Sequence, residues 1–323
     1  MRKWLLAAAG ILALGISGAS AQNYPTRNIT LVIPFAAGGP TDTVGRLVAE
    51  AMSKSLGQQV IIENLAGAGG TRAAGQVAKA TPDGYTLLLH HIGMSTAPTL
   101  YRKLAYNPLN DFEYVGLVTD APMSLIARLN FEAKDLKGVL EYIAKNKEKT
   151  SYANAGIGSA SHLCGMLFQA AVKQQLNTVN YNGTGPAMND ILGGHVDLMC
   201  DQTTNTTGQI KGGKVKAFAV TTKARVKNLP ELPTMDQAGL AGFEVAVWHG
   251  IYAPKGTPKD VVAKLTDALQ KALKDPKVIE SFANLGTEPV PQDQATGAAL
   301  VAKLKTEIEK WRPLIQSAGV YAD

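Results

Sequence analysis

Six short stretches rich in glycine, alanine, serine and threonine are where this sequence can hold a ligand. They are Ala36–Thr41 (AAGGPT), Ala66–Gly70 (AGAGG), His91–Thr96 (HIGMST), Gly156–Ser159 (GIGS), Asn182–Gly185 (NGTG) and Asp201–Thr204 (DQTT). Small side chains let a ligand approach backbone N–H groups closely. Several of the stretches run directly into a helical pattern, and a helix N-terminus favours an anion through its free N–H groups and its dipole. The pattern points to carboxylates held by backbone amides and hydroxyls. For any single stretch, a tight turn that only reverses the chain is the competing reading.

Other chemistries fare worse. The first stretch has neither Gly-x-Gly-x-x-Gly nor Gly-Lys-Ser/Thr, so both nucleotide fingerprints are missing. Asp42 begins a helical pattern, where it caps helix amides, or else it meets an ammonium or hydroxyl of the ligand. Asp201 ends an apolar run, and nothing chooses between a structural and a ligand-facing role for it. His90 and His91 are neighbours in a strand pattern and are expected on opposite faces, which argues against a paired metal site. No metal or cofactor is expected. His195 falls in a turn; His162 and His249 can reach a cleft. Ser159 and His162 raise the prospect of a hydrolase, but the Gly-x-Ser-x-Gly elbow is absent. His162 reads better as a donor to a ligand carboxylate or as an ordinary polar residue near a helix start. Trp248 lines a cleft or packs a hinge.

These stretches need strands and helices to position them. Asn28–Phe35, Gln59–Asn64 and Tyr85–His91 read as strands, with helices at 42–56 and 71–80. Val44, Leu47, Val48, Ala51 and Met52 share one helical face. A second set follows. Strands are expected at 123–129, 151–155, 178–181, 196–200 and 215–220, and helices at 136–145, 160–174 and 186–192. Pro186 is placed at a favoured first helical position. Residues 201–207 read as a polar loop and 244–253 as extended. Two helices close the chain, 258–274 and 296–317, the second bent near Pro313. Alternating strands and helices argue for βαβ units. The simplest arrangement is two doubly wound α/β lobes around a cleft, with chain crossings at Val118–Ser124 and Val247–Ala253. Ligands bind beyond the carboxyl ends of such strands, where the small-residue stretches fall.

The N-terminus reads as a secretory signal peptide over residues 1–21. Arg2 and Lys3 precede an apolar run, Leu5–Ile16, and Ala19-Ser20-Ala21 is a small-x-small cleavage site before Gln22. The apolar run is too short for a bilayer span, which needs about 20 residues. The chain of 323 residues carries a net charge of +6, of which Arg2 and Lys3 supply two. The other basic residues are dispersed, against nucleic-acid binding. Cys164 and Cys200 leave two readings open. An oxidising compartment allows a disulfide, and free cysteine is also among the most buried residue types.

The segments VIPFAAGGPTD (Val32–Asp42), IIENLAGAGG (Ile61–Gly70), YANAGIGSASHL (Tyr152–Leu163), YNGTGPAMNDILGGHVDLMCD (Tyr181–Asp201) and WHGIYAPKGTP (Trp248–Pro258) occur in this order. The sequence resembles the Bordetella uptake gene (Bug) family, the extracytoplasmic solute receptors of tripartite tricarboxylate transporters. The resemblance covers essentially the whole chain after residue 21. It implies a type II periplasmic binding protein fold, no catalysis, and integral membrane subunits as partners. It implies a ligand carboxylate gripped by Phe35, Ala37, Gly38, Gly39 and Thr41 on one side. On the other stand Gly156, Gly158, Ser159, Ser161 and Thr184, with Asp201 close by. Asp42, His162 and Gly185 complete the candidate set. Asn182 departs from the lysine common in many members.

The expectation is thus a periplasmic monomer that binds a di- or tricarboxylate, an aromatic carboxylate or an acidic amino acid. Lobe 1 is expected at 22–123 and 248–323, and lobe 2 at 124–247. An exported hydrolase and a ligand sensor for a signalling partner are the alternatives.

Overall fold

The computed structural model describes residues 24–322 apart from Lys147. The expected signal peptide and its cleavage point lie outside the described residues. The first unit contains β1 (Ile29–Ile33), α1 (Pro40–Leu56), β2 (Val60–Asn64), α2 (Thr71–Ala78), β3 (Thr86–His91) and α3 (Gly93–Leu100). The long strand β4 (Phe112–Arg128) leads to α4 (Leu136–Asn146), β5 (Ser151–Asn154), α5 (Ala160–Val172), β6 (Asn177–Asn180), α6 (Thr184–Gly193), β7 (Leu198–Gln202), α7 (Thr203–Lys211) and β8 (Val215–Val220). The chain ends with β9 (Ala246–Pro254), α8 (Lys259–Ala272), α9 (Pro276–Asn284) and α10 (Gly297–Ala318).

The apolar runs explain the layering. Ile29, Leu31, Val32 and Ile33 of β1 are all buried, as expected for a parallel strand covered on both faces. Strand order is β2-β1-β3-β9-β4 on one side and β4-β7-β5-β6 on the other, with β8 along the free edge of β4. The strands β1, β2 and β3 run parallel, as do β5, β6 and β7, and β4 and β9 are antiparallel additions. β1 sits between β2 and β3, and β5 between β6 and β7. Each lobe therefore has a topological switch point at the carboxyl end of its first strand, where a crevice opens.

β4 joins the two sheets. Its Ala121 and Pro122 pair with Val247 and Ala246 of β9, and the next residue, Met123, pairs with Gln202 of β7. Residues 118–124, expected as a bare crossing, are thus the middle of one continuous strand. The second expected crossing, 247–253, is also an interior strand, bonded to β3 and β4.

Three helices depart from the sequence expectation. α3 was expected as loop because its residues are small, yet most of them are buried, so it needs no amphipathic stripe. α9 falls where no element was expected. α7 replaces the expected polar loop after Asp201. Three of its threonines are taken up by tertiary hydrogen bonds: Thr203 donates to Gly286 O at 3.0 Å, Thr207 to Leu285 O at 3.2 Å, and Thr206 and Ser124 hydroxyls lie 2.7 Å apart. At these three positions the hydroxyl's local competition with the helix is removed. α6 begins at Thr184, two residues before Pro186. The proline stands third in the helix, where its missing N–H is still harmless.

Cys164 of α5 and Cys200 of β7 form a disulfide with Cα atoms 6.1 Å apart. It ties the helix behind the lobe 2 crevice to the strand beside it. The double variant Cys164→Ala/Cys200→Ala is expected to lose about 3–4 kcal/mol of unfolding free energy, the loop-entropy value for this spacing. Urea unfolding with and without reductant checks this. Equal midpoints for the two proteins under oxidising conditions would contradict it.

Candidate functional site

The two crevices face each other. Phe35, Pro40, Thr41 and His91 close a pocket from one lobe. Ala155, Ser159, Ala160 and Ser161 close it from the other, joined by Thr184, Asp201 and Gln202. Its volume is about 10 Å3, room for about one water molecule. The lobes are shut onto each other.

Local hydrogen bonds hold each loop. Asp42 lies in the first turn of α1, whose N-cap is Gly39. Its Oδ2 accepts from Gly38 N at 3.0 Å and Arg46 Nε at 2.9 Å, and its Oδ1 from Arg46 at 3.0 Å and Asn64 Nδ2 at 3.0 Å. Burial alone would push this carboxyl up, but Arg46, the Gly38 N–H and Asn64 together hold it below the usual carboxylate value. Asp42 therefore braces the loop from behind. In lobe 2, Ser161 Oγ accepts from Ala155 N at 2.8 Å, Asn154 Oδ1 from Gly156 N at 2.7 Å, and Ser159 Oγ from His162 N at 3.2 Å. The last is an N-cap.

Four helices begin at this pocket. Thr41 is in the first turn of α1, Ser159 caps α5, Thr184 opens α6, and Gln202 is the N-cap of α7. First-turn N–H groups have no partner within their own helix. Neither lysine nor arginine lines the pocket. The arrangement is one of oriented amides and hydroxyls, suited to an anion and lacking a fixed countercharge.

Asp201 is the one carboxyl lining this pocket. It is 1 % exposed, and burial pushes its pKa up to about 6, against hydrogen bonds from Asn205, Thr184 and the Gln202 backbone. Asn205 Nδ2 donates to it at 2.6 Å. On the facing wall, His91 is held well below the usual imidazole value by burial, as is His249, whose Nε2 lies 3.4 Å from the Thr41 hydroxyl. Both rings are neutral at neutral pH.

The histidine expectation needs correcting. His90 and His91 ring centroids lie only 5.0 Å apart, and Phe35 stacks on His91 at 4.8 Å. His91 is the last residue of β3, and Ile92 already has helical φ and ψ. Both residues pair within the β3–β9 ladder, but the His90 ring folds back so that its Nδ1 accepts from His91 N at 2.8 Å, and the two rings meet. Among the described residues no cluster of three or more His, Cys, Asp or Glu side chains suits a metal ion.

Of the candidate residues, Phe35, Thr41, Ser159, Ser161, Thr184 and Asp201 line the pocket. Ala37, Gly38, Gly39, Gly156, Gly158 and Gly185 do not; the glycines among them belong to the loops and turns that carry the lining residues. His162 faces a separate groove, and its Nδ1 accepts from Gly158 N at 3.4 Å. Pro40, His91 and Gln202, which belong to the ligand-holding stretches but not to the candidate set, also line the pocket, as do Ala155 and Ala160, which were not singled out from sequence. Ala155 and Ala160 carry no side-chain chemistry that could have marked them.

Closure is latched across the cleft. Ala36 N donates to Asn182 O at 2.9 Å. Thr96 donates to Gly158 O at 3.0 Å. The Tyr101 hydroxyl lies 2.6 Å from Ile157 O and 2.7 Å from Ala68 O and donates to one at a time. Gly69 is essential to this approach. It has φ +59°, and a Cβ there would lie 1.8 Å from Ile157 O.

Comparison with known proteins fits this geometry. The model of the TctC family, described as tripartite tricarboxylate transporter family receptor, matches residues 44–320. A protein of Agrobacterium vitis, described as the UPF0065 protein in the TAR-I ttuE-ttuC' intergenic region, is 53% identical over 298 residues, covering 92% of this chain and 86% of that one. The structure of periplasmic binding protein BugD is 54% identical, with a TM-score of 0.91 over 93% of this chain and 100% of that one. MatC from Rhodopseudomonas palustris, solved with bound malate, is 41% identical, with a TM-score of 0.88 over 90% of this chain and 100% of that one.

Two predictions follow from the geometry. Tyr101→Phe removes one closing hydrogen bond, worth about 1 kcal/mol, and should speed ligand dissociation roughly three- to tenfold. Gly69→Ala should block closure while leaving the fold intact. Stopped-flow fluorescence and small-angle scattering read these out, and a wild-type off-rate in Tyr101→Phe together with full closure in Gly69→Ala would refute the latch. The second prediction concerns Asp201. Its carboxyl titrates higher in the folded chain than the usual value of about 3.9. The stability it contributes is complete below about pH 4 and is lost as pH rises through about 6. Asp201→Asn should therefore gain stability relative to the parent with rising pH, by up to roughly 2–3 kcal/mol at pH 7.5. Melting curves from pH 4 to 7.5 that run parallel would contradict this.

Proposed function

Because the chain belongs to the family of tripartite tricarboxylate transporter receptors, which includes the Bug proteins, we propose that it is a periplasmic receptor that captures a small carboxylate and hands it to the integral membrane subunits of such a transporter. The observation that carries this reading is the convergence of four helix N-termini on one pocket without lysine or arginine. Each helix start carries roughly half a positive charge, so four of them outweigh the single carboxylate of Asp201 and favour a ligand carboxylate over a neutral sugar. MatC, solved with malate, supports the same class.

The lobes take the bounds 22–123 with 248–323, and 124–247, in keeping with the change of partner between Pro122 and Met123. The ligand-binding residues are those on the pocket wall, Phe35, Thr41, Ser159, Ser161, Thr184 and Asp201. Residues Gly38, Gly39, Gly156, Gly158 and Gly185 let the two loops approach the ligand and each other. Binding and closure are one event, since the pocket exists only where both lobes meet. The chain acts without catalysis. Ser159 Oγ is engaged by the His162 backbone and lies 3.2 Å from Ser161 Oγ, while the His162 ring is turned to Gly158 N. The serine has no base.

A thermal-shift screen of malate, succinate, citrate, benzoate, aspartate and glutamate against neutral sugars tests the class, followed by calorimetry. At least one carboxylate should raise the melting temperature by several degrees at saturating concentration. Stabilisation by sugars alone would remove the anion reading.

A further inference from the structure

A second cavity lies on the other side of the segment that connects β5 to α5. It is a groove of about 600 Å3, within the roughly 300–1,000 Å3 usual for small-molecule sites. Asn154, His162, Met166, Lys173 and Leu176 line it, and Val320, just past the end of α10, closes it from the C-terminal segment. No aspartate or glutamate is among its lining residues.

Two of its polar side chains are only half used. Asn154 is fully buried, its Oδ1 accepts from Gly156 N at 2.7 Å, and its Nδ2 has no partner. A buried amide donor without an acceptor is uncommon and calls for an explanation. His162 accepts from Gly158 N through Nδ1, so its neutral ring carries the proton on Nε2. Burial holds its pKa down to about 4, so it stays a neutral donor at physiological pH.

We propose that this groove binds a second small organic acid, distinct from the inter-lobe ligand, with one carboxylate and an apolar body. Its carboxylate accepts from Asn154 Nδ2 and His162 Nε2–H, and its hydrocarbon part lies against Met166, Leu176 and Val320. The same two side chains hold the amides of Gly156 and Gly158, which belong to the loop on the inter-lobe pocket. An occupant therefore stiffens that loop and slows lobe opening.

The test is calorimetric titration of the protein with sodium octanoate at pH 7.5, together with imidazole 15N spectra. One saturable site is expected, with a shift of the His162 Nε2 resonance. Met166→Trp should fill the groove and abolish binding, whereas Thr41→Val, in the other pocket, should leave it unchanged. The proposal is overturned if octanoate fails to bind at roughly 10 mM. It is equally overturned if Met166→Trp leaves binding intact, or if Thr41→Val eliminates it.

Discussion

The positive ends of α1, α5, α6 and α7 meet at one small pocket, and the rest of the structure is arranged around that meeting. Like partial charges repel, so the closed form needs something negative or strongly accepting between them. Asp201 partly meets that need in this closed form. Desolvation raises its pKa to about 6, against the lowering effect of hydrogen bonds from Asn205, Thr184 and the Gln202 backbone. A ligand carboxylate arriving with the Thr41, Ser159 and Thr184 hydroxyls around it would meet the same need from solvent.

Positioning those helix starts falls to the two sheets. β1 and β5 each lie between two parallel neighbours, so the loops after them open at matching switch points. β4 runs through both sheets without a break, which keeps the two crevices in register. α7 then ties the hinge region to the end of α9 through Thr203 and Thr207. Asp42 and Ser161 act locally, Asp42 fixing a loop amide from behind and Ser161 fixing one from the pocket wall. Small residues complete the design by letting the loops touch. Gly69 against Ile157 O is the tightest of these approaches.

Much of this was legible in the residues. The strand–loop–helix rhythm gave the lobes, and the glycine-rich strand ends gave the pocket's location. Where expectation failed, a tertiary effect had overridden a local one. α7 reads as loop because four threonines and an asparagine compete with the backbone, and only partners distant in sequence, in β4 and after α9, engage Thr203, Thr206 and Thr207. α3 reads as loop because a helix buried all round has no polar face to reveal it. His90 and His91 were separated by a pleat rule that does not foresee the His90 ring folding back onto the His91 amide. Ala155 and Ala160 contribute position alone, and position is invisible before the fold is known. His162 was read toward the cleft, although a helix residue three positions past the cap points away from it here.

The most direct test of the central claim is a crystal structure with the tightest-binding carboxylate of the panel. The account predicts closed lobes and a carboxylate within hydrogen-bond reach of Thr41, Thr184 and the first turn of α5, directly or through one water. A ligand carboxylate paired instead with a lysine or arginine outside this pocket would contradict it.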